Sequence, residues 1–303
     1  MLTHKKKQPL ISVVILSYKQ EQYLKGAIDS VLNQDYPGIE MIIADDSTPN
    51  FKSEVWSRYI NDNKRSNIVN SFVIKNEENR GTVKNINSAI SRCRGEYVMF
   101  FAGDDELAGK KVLSVLAEKM ALLQGKDICV SGLAIKMDHG LVRNDGFFQN
   151  GIIRSRLAIG AKKAHRMLLY ECCYSMGATM FIKKELERIN GFDESYKVIE
   201  DWSFFLSYSR SGGRVFFADY PVLKHRDGGI SEKKKIPLRY TEDLKKIYLR
   251  EVFPYINEEK DSSRKIKILL HYKTIFGWDF NFIKMCLCNP VSVIIYLILK
   301  IQE

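Results

Sequence analysis

The chain has 303 residues and carries 47 Lys and Arg against 36 Asp and Glu, a formal net charge of +11. Apolar residues at 45%, with 11% aromatics, can fill one large α/β domain with an appendage or two modest domains, which excludes global disorder. The basic balance suits a phosphate-rich ligand, nucleic acid or an anionic membrane surface, and does not choose among them.

Leu10–Leu16 is apolar and rich in β-branched residues, which predicts a buried parallel strand. Leu24, Ala27, Ile28, Val31 and Leu32 follow at helical spacing, and Tyr36-Pro37-Gly38 stops that helix. Ile39–Ala44 is a second strand ending at Asp45-Asp46-Ser47. An amphipathic piece near Val55–Ile60 precedes a third strand, Ile68–Ile74. Val83, Ile86, Ala89 and Ile90 mark another helix, and Tyr97–Phe101 a fourth strand. Strand and helix alternate over this first hundred residues, which indicates a doubly wound, mostly parallel sheet.

The second half is less regular. Val112–Leu123 reads as helix and Asp127–Met137 as strand. Residues 139–151, rich in Gly, Asn and Asp, read as a loop. Ala178–Ile182 is a short strand, Trp202–Tyr208 opens a helix, and Arg214–Ala218 and Pro221–Leu223 read as two further strands. From Lys233-Lys234-Lys235 onward, basic amphipathic helices are expected to the C-terminus.

The six cysteines form no Cys-x-x-Cys pair, and the adjacent Cys172-Cys173 is no zinc signature. They read as thiols of a reducing compartment. No apolar stretch precedes the first strand, so no secretory signal is read and a cytoplasmic protein is expected. No run of about 20 apolar residues predicts a membrane-spanning helix.

Chemistry is expected at the carboxyl ends of the strands, where open α/β sheets bind ligands. Asp104-Asp105 follows the fourth strand after Gly103, and Asp45-Asp46 follows the second. Adjacent carboxylates repel; a divalent cation would relieve that and could grip a diphosphate. Polar-turn chemistry is the alternative for both pairs. Tyr18, just past Ser17 at the first strand's end, could stack on a base or simply pack. Asn79-Arg80-Gly81-Thr82 opens a helix whose amides, with Arg80 and Lys84, could meet phosphate or base; an ordinary capped turn is the alternative, and the motif alone favours it for Arg80. Glu200-Asp201-Trp202 begins a helix, where the dipole and exposed amides favour an ionised carboxylate fit for a general base. Asp201 could equally be a cap. His225 ends a strand before Gly228-Gly229, a loop able to close over a ligand; an ordinary surface or core histidine is the alternative.

The ordered series Ile11–Tyr18, Ile42–Thr48, Asn79-Arg80-Gly81, Gly95–Asp105, Gly177–Phe181, Asn190–Asp193, Glu200-Asp201-Trp202 and His225 with Gly228–Ser231 resembles glycosyltransferase family 2. These are inverting enzymes with the GT-A fold, a Rossmann-like, mostly parallel sheet flanked by helices. The likeness covers roughly residues 9 to 232. It is greatest to bacterial transferases that build O-antigen or capsule units on a polyprenyl carrier. The resemblance implies a UDP-sugar donor, Mn²⁺ or Mg²⁺, and a lipid-linked saccharide acceptor. It implies nucleotide-sugar contacts from Ser17, Tyr18, Asp45, Arg80, Lys84, Asp104 and Asp105, with Tyr18 and Asp45 on the uracil. Asp104 and His225 become the candidate metal contacts, and Asp201 the base beside Glu200. Two departures stand out. Ala102 replaces the first Asp of the family's Asp-x-Asp, so one ribose or metal contact is missing or comes from Asp105. His225 is one residue off the usual spacing to Gly-Ile-Ser.

Residues 9–232 are therefore expected to form the catalytic domain, with 9–106 binding nucleotide-sugar and 107–232 binding acceptor. Residues 233–303 should form a basic helical region. Basic and aromatic residues interleave from Lys233 to Phe282, and Pro290 leads into an apolar run, Val291–Ile301, too short to span a bilayer. An in-plane helix at the inner membrane face is expected. The alternative is a helical subdomain packed on the catalytic core or on a second copy, giving a homodimer. Nucleic acid is disfavoured by the acid pairs at the strand ends. A nucleotidyltransferase is disfavoured because Ser17-Tyr18-Lys19-Gln20 stands where a Gly-rich phosphate loop would be needed. A nucleotide-sugar binder disabled at Ala102 remains an alternative.

Overall fold

The computed structural model describes residues 8–125, 127–138, 141–144, 160–226, 237–277 and 279–288. Nine strands form one mixed sheet: β1 Ile11–Ser17, β2 Ile39–Asp45, β3 Ile68–Lys75, β4 Tyr97–Ala102, β5 Glu106–Leu107, β6 Cys129–Asp138, β7 Leu141–Asn144, β8 Thr179–Ile182 and β9 Val215–Arg226. The order is β3-β2-β1-β4-β8-β6-β9-β5, with β7 added to β6. Strands β3, β2, β1 and β4 are parallel, β8 runs against β4 and β6, and β6 and β9 are again parallel.

The helices are α1 Glu21–Leu32, α2 Ser53–Asn63, α3 Thr82–Ile90, α4 Val112–Met120, α5 Ala161–Leu168, α6 Lys183–Arg188, α7 Glu200–Arg210, α8 Leu238–Ile247, α9 Ser262–Phe276 and α10 Phe280–Cys288. Side chains alternate along the central strand β1, so it feeds both layers. Ile11, Val13 and Ile15 join the apolar faces of α1, α2 and α4. Val14 and Leu16 join α3, α5, α6 and α7. Both faces of the central strands are covered, which is why these strands read as continuous apolar runs.

Two expectations for the second half need correction. Leu141–Asn144 is not loop but strand β7, paired antiparallel with β6; four residues carry too little periodicity to show this, and the pairing comes from the neighbour. The rest of 139–151 lies outside the described residues. The two strands expected at Arg214–Ala218 and Pro221–Leu223 are one twelve-residue strand, β9. Pro221 lies opposite Leu133 at a register irregularity, where its missing N–H is tolerated.

The described C-terminal helices lay their apolar residues on the same core as α3 and α7. Leu244, Ile247, Tyr248, Ile268, Leu269, Tyr272 and Phe282 belong to that cluster. Tyr248 meets Trp202 of α7 edge-on, with ring centroids 5.9 Å apart. Lys233–Lys235, Trp278 and Val291–Ile301 lie outside the described residues, and among those described no helix is long and apolar enough to cross a membrane.

Candidate active site

The parallel register places Ser17 beside Asp45 at the carboxyl ends of β1 and β2, and Leu16 beside Ala102 of β4. Asp45 is fully buried. Its Oδ2 accepts the Thr48 N–H at 2.7 Å, the turn role read as one alternative. Its Oδ1 has no hydrogen-bond partner, and neither has the buried Ser17 Oγ. A buried polar atom without a partner costs about 1–3 kcal/mol, so an adjacent acceptor and hydroxyl left this way fit a ligand that supplies the missing bonds. Tyr18 stands next in the chain, 40% exposed, with Lys19 Nζ 5.1 Å from its ring centre.

Asp46 faces the other way and is satisfied inside the chain. Its Oδ1 accepts Arg80 N–H at 3.0 Å and Asn76 Nδ2 at 2.9 Å, and its Oδ2 accepts Gly81 N–H at 2.8 Å. Asn85 of α3 donates to Ala44 O at 2.9 Å and accepts from Asn76 at 3.1 Å. Asp46 thus fixes the loop before α3. Three amides around that helix start are already engaged, those of Arg80 and Gly81 by Asp46 and that of Val83 by Lys197 O at 3.3 Å. The side chains of Arg80 and Lys84 beside it are exposed.

At the end of β4, Gly103 N–H donates to Leu16 O at 2.7 Å and Asp105 N–H to Ala102 O at 2.9 Å, a tight turn that presents both acids. Asp105 is buried; its Oδ1 lies 3.0 Å from His225 Nδ1 and accepts Arg226 N–H at 3.1 Å. Arg226 Nε donates to Asp104 O at 3.2 Å while its guanidinium lies over Tyr23, 4.6 Å from the ring centre. Asp104 is only half-buried. Burial first, then the charge of Asp105, hold its carboxyl above the usual range, opposed by its own backbone, by Gln20 and by nearby His225.

A divalent cation fits this arrangement. It would neutralise the charge crowding at Asp104, and a carboxylate on one imidazole nitrogen is how proteins orient a ligating histidine. Among the described residues no three His, Cys, Asp or Glu side chains form a complete cation cluster. Asp104 and His225 would therefore hold part of the coordination shell, leaving room for phosphate oxygens and water.

Glu200 and Asp201 occupy the first turn of α7, half-buried. Asp201 Oδ1 accepts Trp202 N–H at 2.6 Å, and the nearby Cys172 thiol, which donates to Tyr174 O at 3.3 Å, favours the ionised carboxylate. The sequence suggested that the helix start favours the ionised form; here desolvation outweighs it. Burial raises both carboxyls, and the Asp201 charge raises Glu200 further. Each carboxyl is thus disfavoured in its charged form, and the Asp201 charge makes Glu200 the harder to ionise.

The family model described as glycosyl transferase family 2 matches residues 12–188, more than half of the chain. The chain belongs to glycosyltransferase family 2. Among curated members, TuaG of Bacillus subtilis, a glycosyltransferase named for teichuronic acid biosynthesis, is 34% identical over 99 residues, 33% of this chain and 37% of its own length. The chain thus matches little more than a third of that relative. The GT-A fold is shared with Staphylococcus aureus TarS, solved in complex with UDP: TM-score 0.61, 19% identity, 88% of this chain and 72% of that one. Mannosyltransferase PcManGT of Pyrobaculum calidifontis, solved with GDP-Man and Mn²⁺, gives a TM-score of 0.56 at 14% identity, covering 95% and 81%.

Family membership leaves several residues that motif reading did not single out. Asp46 was read only as half of a pair, whereas it braces the α3 loop. Arg226 was passed over as the neighbour of His225, yet it ties β9 to the Asp104 turn. Gln20, Cys172 and Asn85 carry no motif; only the fold brings them to the acids. Gly228-Gly229 lies outside the described residues.

Proposed function

We propose that the chain is an inverting, divalent-cation-dependent transferase that moves a hexose or N-acetylhexosamine from a UDP-sugar to a hydroxyl of a lipid-diphosphate-linked saccharide, in surface polysaccharide synthesis. The observation that carries the reading is the unpartnered pair Ser17 Oγ and Asp45 Oδ1 at the sheet's carboxyl edge. A uracil supplies an N–H for the carboxylate and a carbonyl for the hydroxyl. The UDP of the TarS complex and the polysaccharide role in TuaG's name support the donor and the pathway class.

Ser17 and Asp45 bind the base, with Tyr18 flanking it, and Arg80 and Lys84 lie at the rim beside the phosphates. Asp104 and His225 hold the cation, Mn²⁺ or Mg²⁺, which when bound supplies positive charge to the leaving diphosphate. Asp105 orients His225. Asp201 takes the proton from the acceptor hydroxyl. The acceptor oxygen forms its bond to the anomeric carbon as the bond to the UDP oxygen breaks on the opposite face, and UDP keeps that electron pair. Glu200, as the protonated partner, lets Asp201 stay ionised.

Two observations support a location at the inner membrane face: the charge of +11 and the exposed apolar stripe Phe280, Ile283 and Leu287 on α10. The test of the whole reading is nucleotide release from a panel of nucleotide-sugars, with Mn²⁺ or with EDTA, using a synthetic lipid-diphosphate sugar as acceptor. Metal-dependent release from one UDP-sugar is expected. Calorimetry showing no UDP binding in the presence of Mn²⁺ would overturn it, and release from a GDP-sugar alone would replace the donor.

A further inference from the structure

Asp243 of α8 has no exposed surface. Its Oδ2 accepts three consecutive backbone N–H groups, from Lys197 at 2.6 Å, Val198 at 2.7 Å and Ile199 at 3.3 Å. Converging amides of this kind form an anion nest, usually filled by a ligand. Here a side chain 44 to 46 residues downstream fills it. The next two residues after the nest are Glu200 and Asp201.

The same side of α8 and its continuation hold this segment throughout. Glu242 pairs with Lys197 Nζ at 3.1 Å, Lys246 Nζ donates to Ser195 O at 2.6 Å, and Arg250 donates to Ser195 Oγ at 3.1 Å. Arg239 donates to Asn79, in the loop that Asp46 fixes. Positions 239, 242, 243, 246 and 250 recur at the three-to-four-residue spacing of one helical stripe. Of this stripe Asp243 alone is buried; Arg239, Glu242 and Arg250 are exposed, and their contacts lie at the surface around it.

We propose that Asp243 is a positioning residue of the catalytic site: by filling the 197–199 nest from α8 it sets the start of α7, and with it the place of the Glu200–Asp201 pair. The proposal rests on the reading of Asp201 as the base. The region after residue 232 is on this account part of the active site, beyond any role at a membrane. Its charge acts on the pair as well, because Asp243 is among the groups that raise Glu200. Cys172 and Tyr240 also face the pair, and burial pushes both of their ionisations well above neutral pH.

The test compares Asp243→Asn, Asp243→Ala and Lys246→Met with Asp201→Asn and with a control, Asp127→Asn. Asp127 is a buried acid paired with Arg214 at 2.6 Å, just before β6. Misplacing a reacting group by about 1 Å can cost roughly 10²-fold in rate. Asp243→Ala should lower kcat by about that factor, and Asp243→Asn and Lys246→Met by less, with UDP affinity unchanged. In Asp243→Asn the pH profile of the pair should move at Glu200, whose carboxyl should ionise at lower pH because a charge opposing it is gone. Amide exchange at Val198 and Ile199 should quicken in both Asp243 variants. Asp127→Asn should lower the melting temperature and move neither profile nor exchange. If Asp243→Ala does not fold, Asp243→Asn and Lys246→Met carry the test. Wild-type kcat and profile in the Asp243→Asn and Lys246→Met variants, beside an inactive Asp201→Asn, would overturn the proposal alone. A fully active Asp201→Asn would instead sink the base assignment, and exchange together with titration of the two carboxyls would still decide whether Asp243 places the pair.

Discussion

Asp105 and His225 meet across 120 residues of sequence, Oδ1 to Nδ1 at 3.0 Å. The contact closes the end of β9 onto the turn after β4 and sets Asp104 beside the imidazole. It also changes how Ala102 is understood. Asp105 Oδ1 faces His225 and accepts Arg226 N–H, so on the proposed function Asp105 stands behind the histidine at the place where Ala102 leaves the first acid of Asp-x-Asp missing. On that proposed reading the cation contact falls to Asp104 with His225.

From that relationship, Asp105→Asn should weaken Mn²⁺ affinity by roughly 10–100-fold, the usual effect of removing a carboxylate behind a ligating histidine. His225→Ala and Asp104→Asn should weaken it at least as much. Calorimetric titration of Mn²⁺ into the UDP-loaded protein measures this. An unchanged affinity in His225→Ala would remove His225 from the metal site.

Ser17→Ala and Asp45→Asn should separate stability from binding. Ser17 Oγ is buried with no partner, so its removal should leave the melting temperature level or higher. Asp45→Asn removes the charge that would accept the base N–H, about 1.5–3 kcal/mol, so UDP should bind about 10–100-fold more weakly. Full UDP affinity in both variants would place the base elsewhere.

Much of this was legible along the chain. The central strands are buried on both faces, so Ile39–Asp45 and Tyr97–Ala102 read as apolar runs, and their ends located both acid pairs. The sequence did not distinguish the two members of each pair. Asp45 and Asp46 look alike in a line of residues, but the strand's alternation sends one toward the sheet edge and the other into the α3 loop. The balance at Glu200–Asp201 was misjudged for a related reason. A helix start is visible in sequence, whereas the burial that outweighs its dipole comes from Cys172, Tyr240 and α8, all far away in the chain. The basic C-terminal helices suggested a membrane surface, yet from 237 to 276 their apolar side is spent on the core.

The apolar stripe of α10 is the described part of that region with a face left over. Phe280 is 77% exposed and Leu287 76%, with Lys284 between them. Binding to anionic vesicles should appear at low salt and fade as salt rises, since screening weakens the basic contribution. Phe280→Ser with Leu287→Ser should reduce binding and leave the melting temperature unchanged. Absence of co-sedimentation with anionic vesicles at low salt would remove the membrane placement.

The Glu200–Asp201 pair sets a pH dependence with a definite sign. Both carboxyls are raised above their ordinary values of 4.5 and 3.8, by burial first. The unfolded chain therefore gives up these protons at lower pH than the folded one. In that window the folded state binds more protons, so the pair's cost to stability grows as pH rises through the raised range. Glu200→Gln should accordingly raise the melting temperature at pH 8 and lose that advantage near pH 4. Turnover should run the other way, because Asp201 must be ionised to take a proton, and its acid limb should lie above the ordinary carboxylate range. Asp201→Asn should lower kcat by about 10²–10⁴-fold while keeping UDP affinity. A wild-type acid limb near pH 4, or near-normal turnover in Asp201→Asn, would rule the pair out as the proton acceptor.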